Sequence, residues 1–188
     1  MNFEQIIERI YPISKESKNA LLSDVTEVVF PKGHRLLTAG KIESDIYFIR
    51  KGLVRAYSDI NDSQVTFWFG REGDTVVSLK SYISGKPGYE HIELLENSVL
   101  YKLESSYLHS LFLVNVEIAN FGRALIEQEL LKTEERLISM QIKSAQQRYE
   151  ELVETGSDLL QRVQLGYLAS YLGITQVSLS RIRANFRH

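Results

Sequence analysis

The sequence predicts an α+β protein with a β-rich first half, a long helix and a pair of short helices near the C-terminal end. Turn signals such as Pro31-Lys32-Gly33 recur about every 8–12 residues in the first half, which is the spacing of a β-sandwich or barrel. No proline follows Pro87, and helical periodicity begins at Val114. Near the C-terminal end, Gly173 separates two short segments with helical spacing of apolar residues, which predicts the pair of short helices.

The composition excludes several kinds of chemistry. None of the 188 residues is cysteine, which excludes disulfides, thiolate zinc sites, cysteine-ligated iron–sulfur clusters and cysteine nucleophiles. The histidines are far apart and no phosphate loop or nucleophile elbow is present, so we expect no metal, no cofactor and no catalytic residue. The N-terminal segment lacks a secretory-signal pattern and no stretch is apolar enough to span a membrane. We therefore expect a cytoplasmic protein without a membrane partner.

Short runs rich in β-branched and aromatic residues lie between the turn signals, and such runs favour strands. We predict antiparallel strands over Thr26–Phe30, Asp45–Arg50, Leu53–Ser58, Val65–Phe69, Tyr89–Leu95 and Val99–Leu103. A helical segment precedes them, and Ser14 is a suitable N-cap for a helix over Lys15–Ser23.

A long helix is predicted over residues 114–142, with a length of about 40 Å. Small and apolar residues spaced by three or four share one of its faces: Ala119, Gly122, Ile126, Leu130, Thr133, Leu137 and Met140. Because one small β-domain is too short to cover this helix, we expect the face to pair with a second copy of the chain. The alternative is that the whole face packs on its own β-domain, although Phe121, Leu125 and Leu131 already supply another apolar face for that purpose.

A further helix is predicted over Ala145–Glu154, and Thr155-Gly156-Ser157 indicates a break after it. We place a domain boundary near Ile142, which separates residues 1–142 from residues 143–188. The last thirty residues carry four arginines and no acidic residue, a charge of +4; since the whole chain carries −2, residues 1–158 carry −6. This polarity favours contact of a polyanion with the C-terminal end, although a solvated helix has the same composition.

A helix-turn-helix is predicted from Gln164 onward. Gly173 can end the first helix in the left-handed conformation, and Thr175 can cap the second. The second helix places three apolar residues inward: Leu179, Ile182 and Phe186. Its other face carries side chains suited to a DNA major groove: Gln176, Ser178, Arg181 and either Arg183 or Asn185. The structural alternative is a simple α-hairpin that closes a core.

This pattern resembles the cyclic AMP receptor protein/FNR (Crp/Fnr) superfamily of bacterial transcription regulators over nearly the whole chain. The segment PKGHRLLTAGKIESDIYFIRKGLVRAYS is similar to the opening of the family's β-roll, and Arg71-Glu72-Gly73-Asp74 is similar to the turn before its ligand-binding cassette. The segment LASYLGITQVSLSRIR is similar to the DNA-recognition motif. The resemblance implies a jelly-roll-like double-stranded β-helix of the cyclic-nucleotide-binding type, a long dimerisation helix and a C-terminal helix-turn-helix domain.

The resemblance also implies a homodimer that binds a pseudo-palindromic site on double-stranded DNA, with RNA polymerase as a candidate partner. Thr175 matches the family's phosphate-contacting position, and Gln176, Val177 and Arg181 match its base-reading positions. Arg181 keeps the family's arginine, whereas Gln176 and Val177 depart from the receptor protein, so its operator sequence does not carry over. The residues expected at DNA are Gln164, Thr175, Gln176, Val177, Ser178, Arg181 and Arg183.

The ligand cassette departs from that of the cyclic-nucleotide-binding members. Their Gly-Glu pair and Arg-Ser/Thr-Ala run are replaced at the aligned positions by Val77-Ser78 and Gly88-Tyr89-Glu90. A pocket with Glu90 in place of an arginine repels a phosphate, so we expect no tight binding of cyclic AMP. Either no effector is needed or another small molecule binds near Val77, Ser78, Leu79, Gly88, Tyr89 and Glu90. Ser78 and Tyr89 are equally compatible with ordinary strand residues.

The family follows its recognition helix with a β-hairpin wing, whereas this sequence has two residues after Phe186. We therefore expect a DNA-binding domain without a full wing and with fewer contacts to the DNA backbone. The predicted function is that of a DNA-binding transcription regulator without enzymatic activity. The alternative is an effector- or protein-binding module with a degenerate DNA-binding end, which the missing wing and Val177 favour and the C-terminal arginines oppose.

Overall fold

The computed structural model describes residues 1–61 and 63–185, and the chain forms two compact units. One unit contains residues 1–56 and 69–130, and the other contains residues 57–68 and the chain from Leu131 onward. Phe186, which was predicted to point inward, lies outside the described residues, as does the arginine that follows it. Among the described residues, no helix is long and apolar enough to cross a membrane.

The described part of the chain has strands β1 (Thr26–Phe30), β2 (Arg35–Leu37), β3 (Ile46–Lys51), β4 (Val54–Ile60), β5 (Ser63–Gly70), β6 (Thr75–Val76), β7 (His91–Leu94) and β8 (Ser98–Leu103). They form two four-stranded sheets, in the orders β1-β8-β3-β6 and β2-β7-β4-β5. Leu100 of β8 pairs with Val28 on one side and with Ile49 on the other. The predicted strands are present, β1 with the predicted ends and the others with shifted ends. The strands β2 and β6 were missed because such short runs show no periodicity.

The helices that begin in the first unit are α1 (Phe3–Ile10), α2 (Lys15–Leu22), α3 (Leu79–Ser84), α4 (Ser105–Phe112) and α5 (Val116–Ile142). Ser14 caps α2, as predicted. The long helix α5 begins where Asn115 Oδ1 accepts hydrogen bonds from the main-chain N–H groups of Glu117 and Ile118, at 3.0 and 3.1 Å. The prediction of an α+β protein with a long helix is confirmed.

The core of the first unit contains residues of α1, α2, β3, β8, α4 and the first half of α5. Phe3 meets Phe48 edge to face, with ring centroids 5.1 Å apart. Phe121 and Leu125 of α5 are buried in the same core, as expected for the second apolar face of this helix. Leu131 is 54% exposed, so its predicted place on that face was wrong. The contribution of α5 to this core ends at Leu125.

The helices of the second unit after α5 are α6 (Ala145–Thr155), α7 (Leu159–Arg162), α8 (Leu165–Tyr171) and α9 (Gln176–Asn185). Ser144 and Gln147 form a capping box at the start of α6, and Gly156 ends this helix. The single turn of α7 was not predicted, because one turn is too short to show helical periodicity. The buried residues of this unit include Tyr149, Leu152, Leu159, Val163, Leu168, Ala169, Leu172 and Leu179.

Candidate functional site

A tight turn joins α8 to α9. Gly173 lies in the left-handed region with φ +69°, and the main-chain N–H of Ile174 donates to the carbonyl of Ala169 at 3.0 Å, which closes the end of α8. Thr175 precedes α9, and its Oγ1 accepts a hydrogen bond from the N–H of Ser178 at 3.1 Å. The turn therefore uses the residues that were predicted for it.

The second helix of this pair, α9, has a buried and an exposed side. Leu179 is fully buried and Ile182 is half-buried, as predicted. Val177, Ser180 and Arg181 are exposed and share the opposite side at helical spacing. Ser180 was not among the residues expected at DNA, although it lies three residues after Val177 and therefore on the same side of the helix. Within the described residues the Arg181 guanidinium has no hydrogen-bond or ion-pair partner, so it is available to a ligand.

The other residues expected at DNA differ in exposure and in their contacts. Gln164 is the exposed N-cap residue of α8, and Arg183 is half-buried. Ser178 is half-buried, with its Oγ 3.0 Å from Thr175 Oγ1. The amide nitrogen of Gln176 lies 2.7 Å from the position that a Cβ on Gly166 would take. Gln176 is exposed, and its amide lies against Gly166 of α8.

Two arginines hold the C-terminal end of α8. Arg148 of α6 donates from Nε and Nη2 to the carbonyl of Leu172, at 3.2 and 2.9 Å. Its Nη1 donates to the carbonyl of Lys143 at 2.5 Å. Arg136 of α5 donates to the carbonyl of Tyr171, and its guanidinium lies 3.8 Å from the centroid of that ring. Cations stabilise the negative end of a helix, so these contacts hold α8 in place.

A hairpin tip also contacts α8 within the second unit. Ser170 Oγ donates to the carbonyl of Gln64 at 2.9 Å and accepts a hydrogen bond from the N–H of Thr66, also at 2.9 Å. Gln64 and Thr66 belong to β5, just after the turn that joins β4 to β5. One hydroxyl of α8 therefore satisfies two main-chain groups of this hairpin, a contact that no local sequence pattern indicates.

Three of the six residues of the predicted effector pocket come together in the first unit: Ser78, Gly88 and Glu90. Ser78 Oγ and Glu90 Oε1 lie 2.6 and 3.2 Å from the position that a Cβ on Gly88 would take, so a larger residue would collide with both. Ser78 Oγ also donates to Ser81 Oγ of α3, at 3.2 Å. These three polar side chains are buried. They form a small polar cluster at the end of the segment that contains α3.

Glu90 gives this cluster a negative charge, and the other predicted pocket residues differ in burial. Glu90 is 7% exposed, and its Oε2 accepts a hydrogen bond from the main-chain N–H of Tyr89 at 3.0 Å. A buried carboxylate at this place disfavours a phosphate. Val77 and Leu79 are half-buried beside the cluster. Tyr89 is 64% exposed, and partial burial together with the negative charge of Glu90 raises the pKa of its hydroxyl.

The first half of the predicted pairing face of α5 is covered by its own unit. A Cβ on Gly122 would lie 2.3 Å from Cζ of Phe112 in α4, so this glycine makes room for an aromatic ring. Ala119 and Ile126 are half-buried. The expectation that Gly122 faces a second copy is therefore corrected. It failed because α4, which supplies the ring, was not predicted.

The second half of this face is open. Leu130 and Leu137 are 65% and 55% exposed, and Thr133 between them is exposed. Met140 differs, because its Cε lies 2.9 Å from the position that a Cβ on Gly173 would take, which places it against the turn before α9. Three more apolar residues of α5 that were not assigned to the pairing face are also exposed: Leu131, Ile138 and Ile142.

The segment that contains the strands and the polar cluster can be compared with known families. Residues 27–115 match the family model of the cyclic nucleotide-binding domain. This segment is therefore similar to a cyclic nucleotide-binding domain. It runs from β1 through α4 and includes the cluster around Gly88, in which Glu90 is buried.

Solved structures of bacterial regulators have the same fold as this chain. FixK2 from Bradyrhizobium japonicum is 20% identical, with a TM-score of 0.76 over 87% of this chain and 84% of that one. The c-di-GMP-responsive regulator CLP from Xanthomonas campestris is 15% identical, with a TM-score of 0.70 over 93% and 92%. The catabolite activator protein from Thermus thermophilus is 17% identical, with a TM-score of 0.59 over 95% and 85%. These likenesses show that the chain has the fold of these regulators, which agrees with the predicted fold. No curated protein sequence matches the chain.

Proposed function

We propose that this chain is a homodimeric, DNA-binding transcription regulator of the Crp/Fnr type. The observation that carries the proposal is the exposed side of α9, where Arg181 has no partner among the described residues and the preceding turn is built on Gly173 and Thr175. An α-helix fits the major groove of B-DNA, and an exposed arginine is suited to read guanine there. The likeness of fold to FixK2 and CLP supports the same function.

The exposed residues of α9 have distinct proposed roles. Arg181 donates to N7 and O6 of a guanine, and Val177 contacts a thymine methyl. Thr175 contacts a backbone phosphate at the helix N-terminus, where the dipole favours an anion. Gln176 contacts an adenine or a phosphate through its side-chain amide. The remaining residues near DNA are Gln164, Ser178 and Arg183.

The second copy of the chain covers the open half of the pairing face. Leu130 and Leu137 are seven residues apart, as are Leu131 and Ile138, which is the repeat of two helices that pack side by side. All four are exposed in the single chain, and burial of apolar surface contributes about 25 cal/mol per Å². In the dimer, the two copies of α9 enter successive major grooves about 34 Å apart.

The two functional parts are residues 1–142, which hold the effector domain, and residues 143–188, which bind DNA. The buried carboxylate of Glu90 favours regulation by a molecule other than cyclic AMP, or regulation without an effector. The regulator acts in the cytoplasm, has RNA polymerase as a partner and performs no catalytic step.

Selection of bound sites from a random duplex library, with purified and ligand-free protein, tests the proposal. We expect enrichment of an inverted repeat, and an affinity that falls linearly with salt on a double-logarithmic scale. Arg181→Ala should cost about 1–3 kcal/mol on the selected site and relax one base preference. Arg123→Ala is the control, because Arg123 lies on α5 and pairs with Glu127 at 2.7 Å. If no sequence is enriched and binding shows no salt dependence, the chain is instead a binding module with a degenerate DNA-binding end.

A further inference from the structure

A glycine in α8 lies beside the first residue of α9. Gly166 is the second residue of α8, and Gln176 begins α9. The amide nitrogen and Cδ of Gln176 lie 2.7 and 3.6 Å from the position that a Cβ on Gly166 would take. Apart from the adjoining part of α8, no other atom of the described residues comes within 4 Å of that position. The Gln176 amide therefore occupies the space that a side chain at position 166 would need.

The backbone of α8 does not require a glycine at this position. Gly166 lies inside the helix and is not among the residues with positive φ, whereas Gly173 has φ +69°. Glycine is less favourable than alanine inside a helix, because it loses more backbone freedom on folding. The lack of a side chain at Gly166 is therefore explained by the room that it leaves for Gln176.

The Gln176 amide has a defined place and keeps its hydrogen-bonding groups. The turn before α9 fixes how closely the two helices approach, since the N–H of Ile174 donates to the carbonyl of Ala169 and Leu179 is fully buried. Gln176 is exposed, and its amide makes no hydrogen bond within the described part of the chain. Its N–H donors and its carbonyl oxygen are therefore available to a base, and this pair of groups matches N7 and N6 of adenine.

We propose that Gly166 is a specificity-determining residue that positions Gln176 for contact with an adenine. Because Gly166 has no side chain, the amide lies against α8 before DNA binds, so less side-chain entropy is lost when the two hydrogen bonds to the base form. A Cβ at position 166 would displace the amide from 2.7 Å to at least the 3.4 Å of an ordinary contact. This inference rests on the proposed DNA binding and assigns to Gln176 an adenine rather than a phosphate.

Gly166→Ala should change stability and base preference in opposite directions. The unfolding temperature should rise by about 1–3 °C, because alanine favours the helix and the amide, at the end of a flexible side chain, can move aside. The preference for adenine at the base pair that Gln176 contacts should fall by about fivefold or more. The base preference due to Arg181 should stay the same. A substitution that only disturbed the fold would instead lower the unfolding temperature and weaken all base preferences together.

The test begins with the DNA site that the unchanged full chain selects. Gln176→Ala identifies the base pair that Gln176 contacts, which we expect to contain adenine. Binding of Gly166→Ala is then measured on four duplexes that differ only at this base pair. The double variant Gly166→Ala/Gln176→Ala is the matched control, because a residue that acts only through the Gln176 amide has no effect once that amide is removed. Its base preference should equal that of Gln176→Ala.

Three results would overturn the proposal. Gly166→Ala could keep the full preference for adenine, Gln176→Ala could weaken binding to all four duplexes equally, as loss of a phosphate contact would, or Gly166→Ala could change the preference equally with and without the Gln176 amide. All three are observed with a selected site in hand, so they differ from a failure of the unchanged chain to select any site, which refutes the proposed function and this inference with it.

A measurement without DNA tests the positioning itself. We expect a nuclear Overhauser effect between the side-chain amide protons of Gln176 and the α protons of Gly166 in the full chain, because the two groups are in contact. Its absence would overturn the role of Gly166 even if the chain selects a DNA site.

Discussion

Arg148 on α6 and Leu172 at the end of α8 are joined by two hydrogen bonds, from Nε at 3.2 Å and from Nη2 at 2.9 Å to the same carbonyl. The same guanidinium donates to the carbonyl of Lys143, just after the end of α5. Carbonyls at the ends of helices have no partner within the helix, and Arg148 supplies one at two such ends. One side chain therefore joins the end of α8 to the end of α5.

Arg148→Ala should destabilise the protein by about 2–3 kcal/mol. The substitution removes hydrogen bonds donated by a charged group and leaves the carbonyls of Leu172 and Lys143 without that donor. Arg148→Lys should restore only part of the loss, because an ammonium lacks the planar arrangement of donors. Urea denaturation followed by circular dichroism measures the effect. Arg123→Ala, an exposed control, should stay within about 0.5 kcal/mol; an equal loss in both variants would contradict the role given to Arg148.

Gly173→Ala should cost more stability than Gly33→Ala. Both glycines have left-handed backbone, with φ +69° and φ +82°, so a Cβ strains both by about 1–2 kcal/mol. A Cβ on Gly33 meets no atom within 4 Å, whereas a Cβ on Gly173 lies 2.9 Å from Met140 Cε. Because Met140 Cε is the end of a flexible side chain, the extra loss in Gly173→Ala should be small, and the difference in the free energy of unfolding between the two variants measures it. A larger loss in Gly33→Ala would show that Met140 does not press on the turn.

The stability of the first unit should fall in acid because of Glu117. Hydrogen bonds from Ser14, and then from Ser17, hold the pKa of this carboxylate below its ordinary value of 4.5. Since the pKa is lower in the folded state, the stabilisation is fully present above the unfolded value and is lost as the pH falls through the folded value. Glu117→Gln should therefore show a flatter decline of the unfolding temperature below about pH 5.

The control for this pH dependence is Glu4→Gln, which changes an exposed carboxylate in the first turn of α1. This variant also removes one negative charge, so its comparison with Glu117→Gln separates the loss of charge from the loss of the contacts with Ser14 and Ser17. If Glu117→Gln and the unchanged chain decline in parallel, the contacts of Ser14 and Ser17 with the carboxylate contribute nothing to the acid response.

Leu137→Glu should convert the proposed dimer to a monomer. The substitution places a charge on the exposed apolar side of α5, where a second copy would have to bury it. Sedimentation velocity at several concentrations measures the change, and circular dichroism should show that the helix content is kept. Leu113→Glu is the control, since Leu113 is 87% exposed on the connection between α4 and α5. A monomeric unchanged chain would refute the pairing of α5.

Local patterns were sufficient for much of the fold. The period of apolar residues predicted the long helix to within two residues of its observed start at Val116. The turn between α8 and α9 was predicted from Gly173 and Thr175. A single glycine can adopt the left-handed backbone that ends a helix, and a single threonine can cap the next one, so the residue type alone indicates the turn. The short elements β2, β6 and α7 were missed, since two to four residues are too few to reveal a period.

The candidate sites show what local patterns leave undecided. Gly122 was expected to face a second copy, but Phe112 of its own unit fills the space above it. Gln176 is exposed, but the position of its amide over Gly166 was not predicted. In each case the neighbour lies ten residues away in sequence, on another helix, so neither periodicity nor capping indicates it.

The sequence by itself determined which segments form strands and helices, where the turn before α9 falls and which residues of α9 are polar, because each depends on neighbours within about one or two helical turns. Only the tertiary structure decided that Arg148 and Arg136 hold the end of α8 and that Ser170 binds a hairpin tip 106 residues earlier. Such contacts depend on the packing of whole helices and strands, and the sequence around each of these residues does not indicate which distant residue it will contact.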